Sequence, residues 1–376
     1  MVRKGTFSRV VMIISIAAFL FGIFDCAKKE DIIKIGVVLP LTGSGAAYGQ
    51  DSQRGIELAT EEINNQGGIK GKKIQLVMED DQSVPKTSTL AVTKLINQDK
   101  VQVIIGSDLS SCVLADAPVA EKAKVVLLSP GASNPRITQA GDYIFRNWIS
   151  DELEGSRMAE FMFNDMKLRN IAILYINNEY GVGLKEVVER RFKELGGNIL
   201  LSESYEQDEM DFRTQLTKIK KLNPEGIYLP GYYKEMAHIV NQAKELGVKN
   251  QFYSCVCFED PELLKIAGKN ADGVIYSTPF YDPNSLEEHI RQFLKSFEEE
   301  FNREPGIFAG HGYDALKIVT LAIERGGYSG EAIKNELYKV RDFPGVSGNT
   351  SFDENGDVVK PVAIKTVKNG VFTMFK

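Results

Sequence analysis

The sequence predicts an α/β protein made of two doubly wound, parallel-sheet units, and three observations predict it. The chain has 376 residues, and at roughly 150 residues per domain this suggests two domains, each large enough to bury a core. Short β-branched runs alternate with amphipathic stretches of helical period. That alternation runs its course before residue 150 and then begins again near Asn170. The runs are apolar almost without interruption, as strands of a parallel sheet covered on both faces should be.

The first series opens with a strand over Lys34–Leu39, then a glycine loop through Gly43, Gly45 and Gly49, then a helix with Ile56, Ala59 and Ile63 on one face, stopped by Gly67-Gly68. Lys73–Met78 is the second strand, ending in Glu79-Asp80-Asp81, and Pro85–Asn97 reads as a helix with Thr89, Val92 and Ile96 inward. Val101–Ile105 and Val125–Leu128 are the third and fourth strands, with Pro118 expected to kink or shorten the helix between them. The second series gives strands at Asn170–Tyr175, Ile199–Tyr205, Gly226–Leu229, Gln251–Cys257 and Gly273–Ser277. Its helices are expected at Leu184–Leu195, at Phe212–Leu222 with Leu216, Ile219 and Leu222 buried, and at Lys234–Leu246. Long helices follow at Ser285–Phe301 and Ile307–Ile323, and a hairpin is expected around Asn355-Gly356.

Composition excludes several functions. Lys+Arg number 45 against Asp+Glu 51, a net charge of −6 without a long basic run, so a nucleic-acid partner is not expected. The three histidines lie far apart, which argues against a histidine-rich metal site, and four cysteines in a chain this long do not make a disulfide scaffold. The N-terminus carries Arg3, Lys4 and Arg9 ahead of an uncharged apolar run, Val10–Phe24. A basic start and a run too short to span a bilayer form a secretory signal. Residues 1–26 are therefore read as a signal peptide or lipoprotein signal, with Cys26 as the lipidation site despite the bulky Asp25 before it.

Three strand-to-helix loops carry the candidate chemistry. Gly43, Gly45 and Gly49, with Asp80 and Asp81 after the second strand, imitate a dinucleotide fingerprint, but the spacing is G-x-G-x-x-x-G. The favoured reading is a turn whose amides face the cleft at the carboxyl edge of the sheet, where ligands bind whatever their chemistry. Gly106-Ser107-Asp108-Leu109-Ser110-Ser111 places hydroxyls at a helix N-terminus, which suits a carboxylate without a full positive charge; the alternative is that the serines only cap the helix. Ser129-Pro130-Gly131-Ala132-Ser133 adds a second small, hydrogen-bonding loop at a neighbouring strand end. No G-x-S-x-G elbow and no acid–base carboxylate pair stands out, so an enzyme is not expected, nor a cofactor or metal. Asp353-Glu354-Asn355-Gly356-Asp357 begins like a calcium loop, but Ile364 stands where the final glutamate is needed, and it reads as a turn.

In order along the chain come Lys34-Ile35-Gly36-Val37-Val38, Leu41-Thr42-Gly43, Tyr48-Gly49, the turn Ile63–Gly71, Ala117–Glu121, Ser129–Pro135, Tyr180–Gly183, Gly231–Met236 and Phe352–Asp357. This ordered set, covering about residues 32–368, resembles the periplasmic leucine/isoleucine/valine-binding proteins, the substrate-binding components of ABC importers. The resemblance implies the type I periplasmic binding fold: two lobes joined by three crossovers, here near 149–152, 277–281 and 348–352. Lobe 1 would be 31–149 plus 278–350, and lobe 2 would be 150–277 plus 351–376. It implies a ligand carboxylate held at Ser110, with Gly131, Ala132 and Ser133 adjoining. It also implies aromatic walls from Tyr48, Tyr180, Tyr232 and Phe308. The acid that meets the ligand ammonium in those relatives falls on Val256, inside Cys255-Val256-Cys257, and Cys112 stands without a disulfide partner. Asp108 is the nearest substitute for the missing acid; Glu259 is more simply a cap for the helix beginning at Asp260-Pro261. The expected function is capture of a small carboxylate-bearing ligand, foremost a branched-chain or other hydrophobic amino acid, by lobe closure for delivery to an ABC importer permease. The protein would be exported, periplasmic or anchored through Cys26. A des-amino aliphatic or aromatic carboxylate, or an exported ligand-sensing module, is the alternative.

Overall fold

The computed structural model describes residues 32–282 and 285–375. Cys26 and the signal segment lie outside these residues. The first sheet has five strands, β1 (Ile33–Leu39), β2 (Ile74–Asp80), β3 (Val103–Gly106), β4 (Val126–Ser129) and β5 (Ile144–Arg146), in the order β2-β1-β3-β4-β5, all parallel. The second has seven, β6 (Asn170–Ile176), β7 (Asn198–Tyr205), β8 (Gly226–Leu229), β9 (Gln251–Ser254), β10 (Ile275–Pro279), β11 (Val362–Lys368) and β12 (Val371–Met374). Their order is β12-β11-β10-β9-β8-β6-β7, with the last two strands of the chain antiparallel.

Burial follows position in the sheet. The central β1, β3, β4 and β8 are apolar and buried almost throughout, whereas the edge strand β7 alternates exposed and half-buried residues. Helices Ala46–Asn65 and Ile307–Gly326 pack on one face of the first sheet through Ile56, Ala59, Leu316 and Val319; Pro85–Lys94 and Ser110–Ala123 cover the other through Ala91, Val92, Val113 and Ala117. Among the described residues no helix is long and apolar enough to cross a membrane.

Several local expectations need correction. The helix from Ser110 runs on through Pro118 to Ala123 without being cut short. In the Pro85 helix the inward face is Ser88, Ala91 and Val92, with Thr89 and Ile96 half-buried. Leu222 is exposed at the last turn of its helix, because the chain reverses at Asn223 in a left-handed conformation. The C-terminal hairpin joins β11 and β12 around Asn369-Gly370; Asn355-Gly356 is a turn flanked by one bridge, Phe352 to Val358. Phe352 and Val358 pack into the core of the first sheet, so residues 352–358 belong with it. β9 stops at Ser254 and a 3-10 turn takes Val256–Phe258, so Cys255 and Cys257 do not share one strand face.

The chain's first passage between the sheets is tied down by Arg146. Its fully buried guanidinium donates to the carbonyls of Ser133 and Asn134 (3.0 and 2.9 Å) and to Thr138 Oγ1 (2.6 Å). It also pairs bidentately with Asp357, at 2.6 and 2.8 Å. One cation thus holds the Ser133 loop to the turn that precedes the third passage.

Candidate functional site

Six loops leave the carboxyl ends of parallel strands and converge between the sheets, three from each. From the first sheet they carry Tyr48 after β1, Asp108 and Ser110 after β3, and Gly131 and Ser133 after β4. From the second come Tyr180 after β6, Tyr232 after β8, and Val256 and Cys257 after β9. These residues, with Leu109, Trp148 and Phe308, line one cavity. Its own side chains nearly fill it: the cavity volume is about 20 Å³, room for about one water.

Both halves are drawn together. The Tyr48 hydroxyl accepts from the Tyr233 amide (2.9 Å) and donates to the Cys257 carbonyl (3.3 Å), so one phenol from the first half fastens two loops of the second. Gln207 Nε2 donates to Ser44 Oγ at 2.6 Å, the Glu179 amide to Ser111 Oγ at 3.2 Å, and Arg136 pairs with Glu179.

The glycine loop contributes Tyr48 rather than free amides. The Gly45 amide donates to Ser83 Oγ and the Ala46 amide to the Gly43 carbonyl. Gly49 is there for packing: a β-carbon would lie 2.3 Å from the Pro40 carbonyl oxygen. Asp80 accepts from the amides of Leu41, Thr42 and Gln82, and Asp81 from Ser107 Oγ and the Ser83 amide, so both acids shape loops.

Ser110 is the first residue of its helix and not a cap; the cap position is Leu109, which offers no side-chain bond. Ser110 Oγ accepts from the amides of Ser133 (3.3 Å) and Asn134 (3.2 Å). With both lone pairs engaged, the hydroxyl hydrogen is left to donate into the cavity, beside first-turn amides that precede intrahelical bonding. That arrangement suits a carboxylate. Ala132 does not line the cavity: it is fully buried and its amide is taken by Ser129 Oγ at 2.9 Å.

Asp108 faces the same space. Ser52 Oγ donates to its Oδ1 at 3.1 Å, while its buried Oδ2 has no partner. A β-carbon at position 131 would lie 2.7 Å from Asp108 Oδ1, so the glycine there makes room for the acid. Burial, reinforced by the nearby Asp81 and Asp51 carboxylates, pushes Asp108 up to about 8. On the other side, burial pushes Asp151 up to about 7, and Glu154 well above its usual range. Glu154 Oε1 accepts from the Val256 amide and Ser277 Oγ, both at 3.0 Å, directly behind the valine. Glu259 lies away from the cavity and pairs with Lys365 at 2.6 Å; Asp260 supplies the helix cap instead, accepting from the Glu262 amide at 2.7 Å. Cys112, Cys255 and Cys257 are free, buried thiols. Among the described residues no group of three or more His, Cys, Asp or Glu could hold a metal ion.

Leu109, Trp148 and Cys257 line the cavity without having been expected there, and of these Trp148 lies outside every motif. It stacks on Phe308, with ring centroids 4.7 Å apart, and Phe308 stacks in turn on Tyr48 at 4.8 Å. Tyr180 and Tyr232 form a second stack at 5.8 Å. The available signal was position: the chain's single tryptophan sits in the segment joining the two strand–helix series.

Two facing α/β halves with a closed, aromatic-walled cleft between their strand ends define a ligand-binding protein of the bilobal class. The chain belongs to the periplasmic binding protein family, whose family model matches residues 32–371. The family is one of extracytoplasmic solute-binding proteins, not enzymes. Among relatives, the Leu/Ile/Val-binding protein of Escherichia coli K12 is 30% identical over 89% of this chain and 90% of its own. The leucine-, isoleucine-, valine-, threonine- and alanine-binding protein of Pseudomonas aeruginosa is 28% identical over 100% and 97%. Of solved structures, the leucine-binding protein LivK of Thermotoga maritima is 32% identical with a TM-score of 0.86, covering 92% of this chain and 98% of that one. The branched-chain amino acid transporter substrate-binding protein LivJ of Streptococcus pneumoniae, in complex with isoleucine, is 31% identical with a TM-score of 0.85, covering 91% and 97%.

Proposed function

We propose that this chain captures a branched-chain or other hydrophobic amino acid between its two lobes and hands it to the permease of an ABC importer. The ligand carboxylate is taken by Ser110 with Ser133 adjoining, and the ammonium is paired by Asp108. Tyr48, Tyr180, Tyr232, Val256 and Phe308 enclose the rest. The observation that carries this reading is the buried, unpartnered Asp108 Oδ2 on the cavity wall. Several buried carboxyls surround the cleft, and the buried guanidinium nearest the Ser133 loop, that of Arg146, is already neutralised by Asp357. A des-amino carboxylate would keep Asp108 protonated and give it no counter-ion; a zwitterion brings the cation that lets it ionise.

Val256, which offers no charge to an ammonium, is the one feature that favours the des-amino alternative. A solute-binding protein from Rhodopseudomonas palustris BisB5 in complex with 3,4-dihydroxybenzoic acid shares 25% identity and a TM-score of 0.80, covering 90% of this chain and 94% of that one. Calorimetric titration of alanine and leucine beside propionate and isocaproate separates the two. Binding of the amines, lost in Asp108→Asn, supports the proposal; equal or tighter binding of the des-amino acids overturns it. Lobe closure on binding, about the crossovers, is part of the same proposal, as is export with attachment through a lipidated Cys26. The intact mass of membrane-extracted protein tests the attachment, and a mature N-terminus without Cys26 rejects it.

A further inference from the structure

We infer that Glu154 is a positioning residue for the cleft: it braces the turn Val256–Phe258, which carries two of the cavity-lining residues, against two places where the chain passes between the sheets. Glu154 is fully buried in the first turn of the helix Asp151–Glu160, which begins where the first passage ends. Its Oε1 accepts from the Ser277 hydroxyl at 3.0 Å, and Ser277 belongs to β10, whose end at Pro279 opens the second passage. The same oxygen accepts from the Val256 amide at 3.0 Å. One atom therefore joins both passages to the turn. On its other side the turn meets the opposite half of the molecule, where the Cys257 carbonyl accepts from the Tyr48 hydroxyl at 3.3 Å. Val256 and Cys257 both line the cavity, and Glu154 does not. The place of these two residues, and of the carbonyl that Tyr48 meets across the cleft, thus depends on a carboxyl behind the cavity wall. Burial, with Cys255 and Asp151 beside it, holds that carboxyl well above its usual range, so the buried and unpartnered Oε2 carries the proton and Oε1 stays an acceptor. A glutamine offers the same acceptor in the same place. A leucine leaves the Val256 amide buried without one, and an aspartate falls one methylene short of it.

Loss of the brace leaves the turn free to shift, so that closure must first order it and affinity falls accordingly. The inference goes beyond the amino-acid reading above and rests on it only where a ligand is titrated. The test compares wild type with Glu154→Leu, Glu154→Asp and Glu154→Gln, after thermal melts show which variants fold. If the leucine variant does not fold, the aspartate variant carries the comparison. Amide hydrogen exchange of the ligand-free proteins, read on peptides by mass spectrometry, should be roughly tenfold or more faster over residues 255–259 in the leucine and aspartate variants. It should stay unchanged in β6, and the glutamine variant should match wild type over the turn within about threefold. Calorimetry with leucine and alanine should show affinity weakened roughly tenfold or more in the first two variants and rescued in the third. Adding Tyr48→Phe should weaken wild type and Glu154→Gln alike but change Glu154→Leu little, since the carbonyl that Tyr48 meets is already out of place. Equal exchange over the turn in all four proteins, exchange that rises throughout the second sheet, or a full-sized Tyr48→Phe loss in the Glu154→Leu background overturns the brace. If wild type binds neither leucine nor alanine, the amino-acid reading falls, while the exchange comparison still upholds or overturns the brace.

Discussion

Raising the pH from 6 to 8 should tighten the binding of an amino acid, and Asp108 is the reason. Its carboxyl is buried against the cleft, with Ser52 as its hydrogen-bond donor and the Asp81 and Asp51 carboxylates near it. It is thereby held at about 8 instead of the ordinary 3.8. At pH 6 the ligand-free protein carries this group protonated. An ammonium set against it favours the ionised form and draws the pKa down, so binding below about pH 8 must expel a proton. Affinity then rises toward tenfold per pH unit, about 1.4 kcal/mol, and levels off above 8. Asp151, raised to about 7, acts in the same direction if the cation's field reaches it, and Asp81, raised to about 6 and bonded by Ser107, adds a smaller slope near pH 6. Arg54 and Arg303 approach Asp51, at 3.8 and 4.0 Å. Titration calorimetry in two buffers of different ionisation enthalpy reads the expelled proton directly. A des-amino carboxylate must show the opposite sign, since an anion beside Asp108 favours its protonated form. Flat affinity for amino acids between pH 6 and 8, with no dependence of enthalpy on buffer, refutes Asp108 as the cation's partner.

The remaining predictions follow from neighbouring contacts. In the ligand-free protein Asp108 costs stability as pH rises from about 4 to 8, because the unfolded carboxyl ionises at its ordinary value and the folded one only near 8. Asp108→Asn should therefore melt higher than wild type at pH 8 while losing amino-acid affinity; a lower melting point at that pH contradicts this. Ser110→Ala should weaken binding by about 1–3 kcal/mol through loss of a hydrogen bond to a charged group, and it should also lower the melting temperature, because the buried Ser133 and Asn134 amides lose their acceptor. Calorimetry checks it, and unchanged affinity moves the carboxylate elsewhere. Tyr48→Phe removes two of the bonds that cross the cleft and should weaken ligand affinity by about 1–2 kcal/mol, with a less compact complex by small-angle scattering. Asp357→Asn leaves the Arg146 guanidinium buried without its counter-charge, and denaturant unfolding should show a loss of about 3 kcal/mol; a midpoint within error of wild type denies that pair its structural role.

The fold was legible because central parallel strands are written as unbroken apolar runs, such as Val37-Val38-Leu39 and Val103-Ile104-Ile105, and the helices between them carry clear faces. Among the elements missed, which include the helix Asp151–Glu160, two have a clear physical reason. β5 has three residues and ends in Arg146, a charge that only the Asp357 pair makes tolerable inside a sheet. The helix Gly330–Leu337 begins at a glycine that local propensity disfavours, and it is fixed by close approach instead: a β-carbon there would lie 1.9 Å from the Lys124 carbonyl oxygen. The strand expected at Gln251–Cys257 ends early because an apolar run does not say where a strand stops; the turn at Val256–Phe258 depends on tertiary contacts, among them the bond from the Val256 amide to Glu154, distant in sequence. At the cleft, the small residues after strand ends were readable, since the carboxyl edge of a parallel sheet collects ligands. Trp148 was not, because a tryptophan between two domains reads as core until the packing shows which space it fills.

Native mass spectrometry of the protein, purified from its exported fraction without denaturation, tests the central claim most directly, because a closed cleft retains what it binds. The released molecule should be a zwitterion with a primary amine and the mass of an amino acid, and Asp108→Asn protein should come out empty. A released carboxylate without an amine, retained equally by the Asp108→Asn protein, contradicts the account.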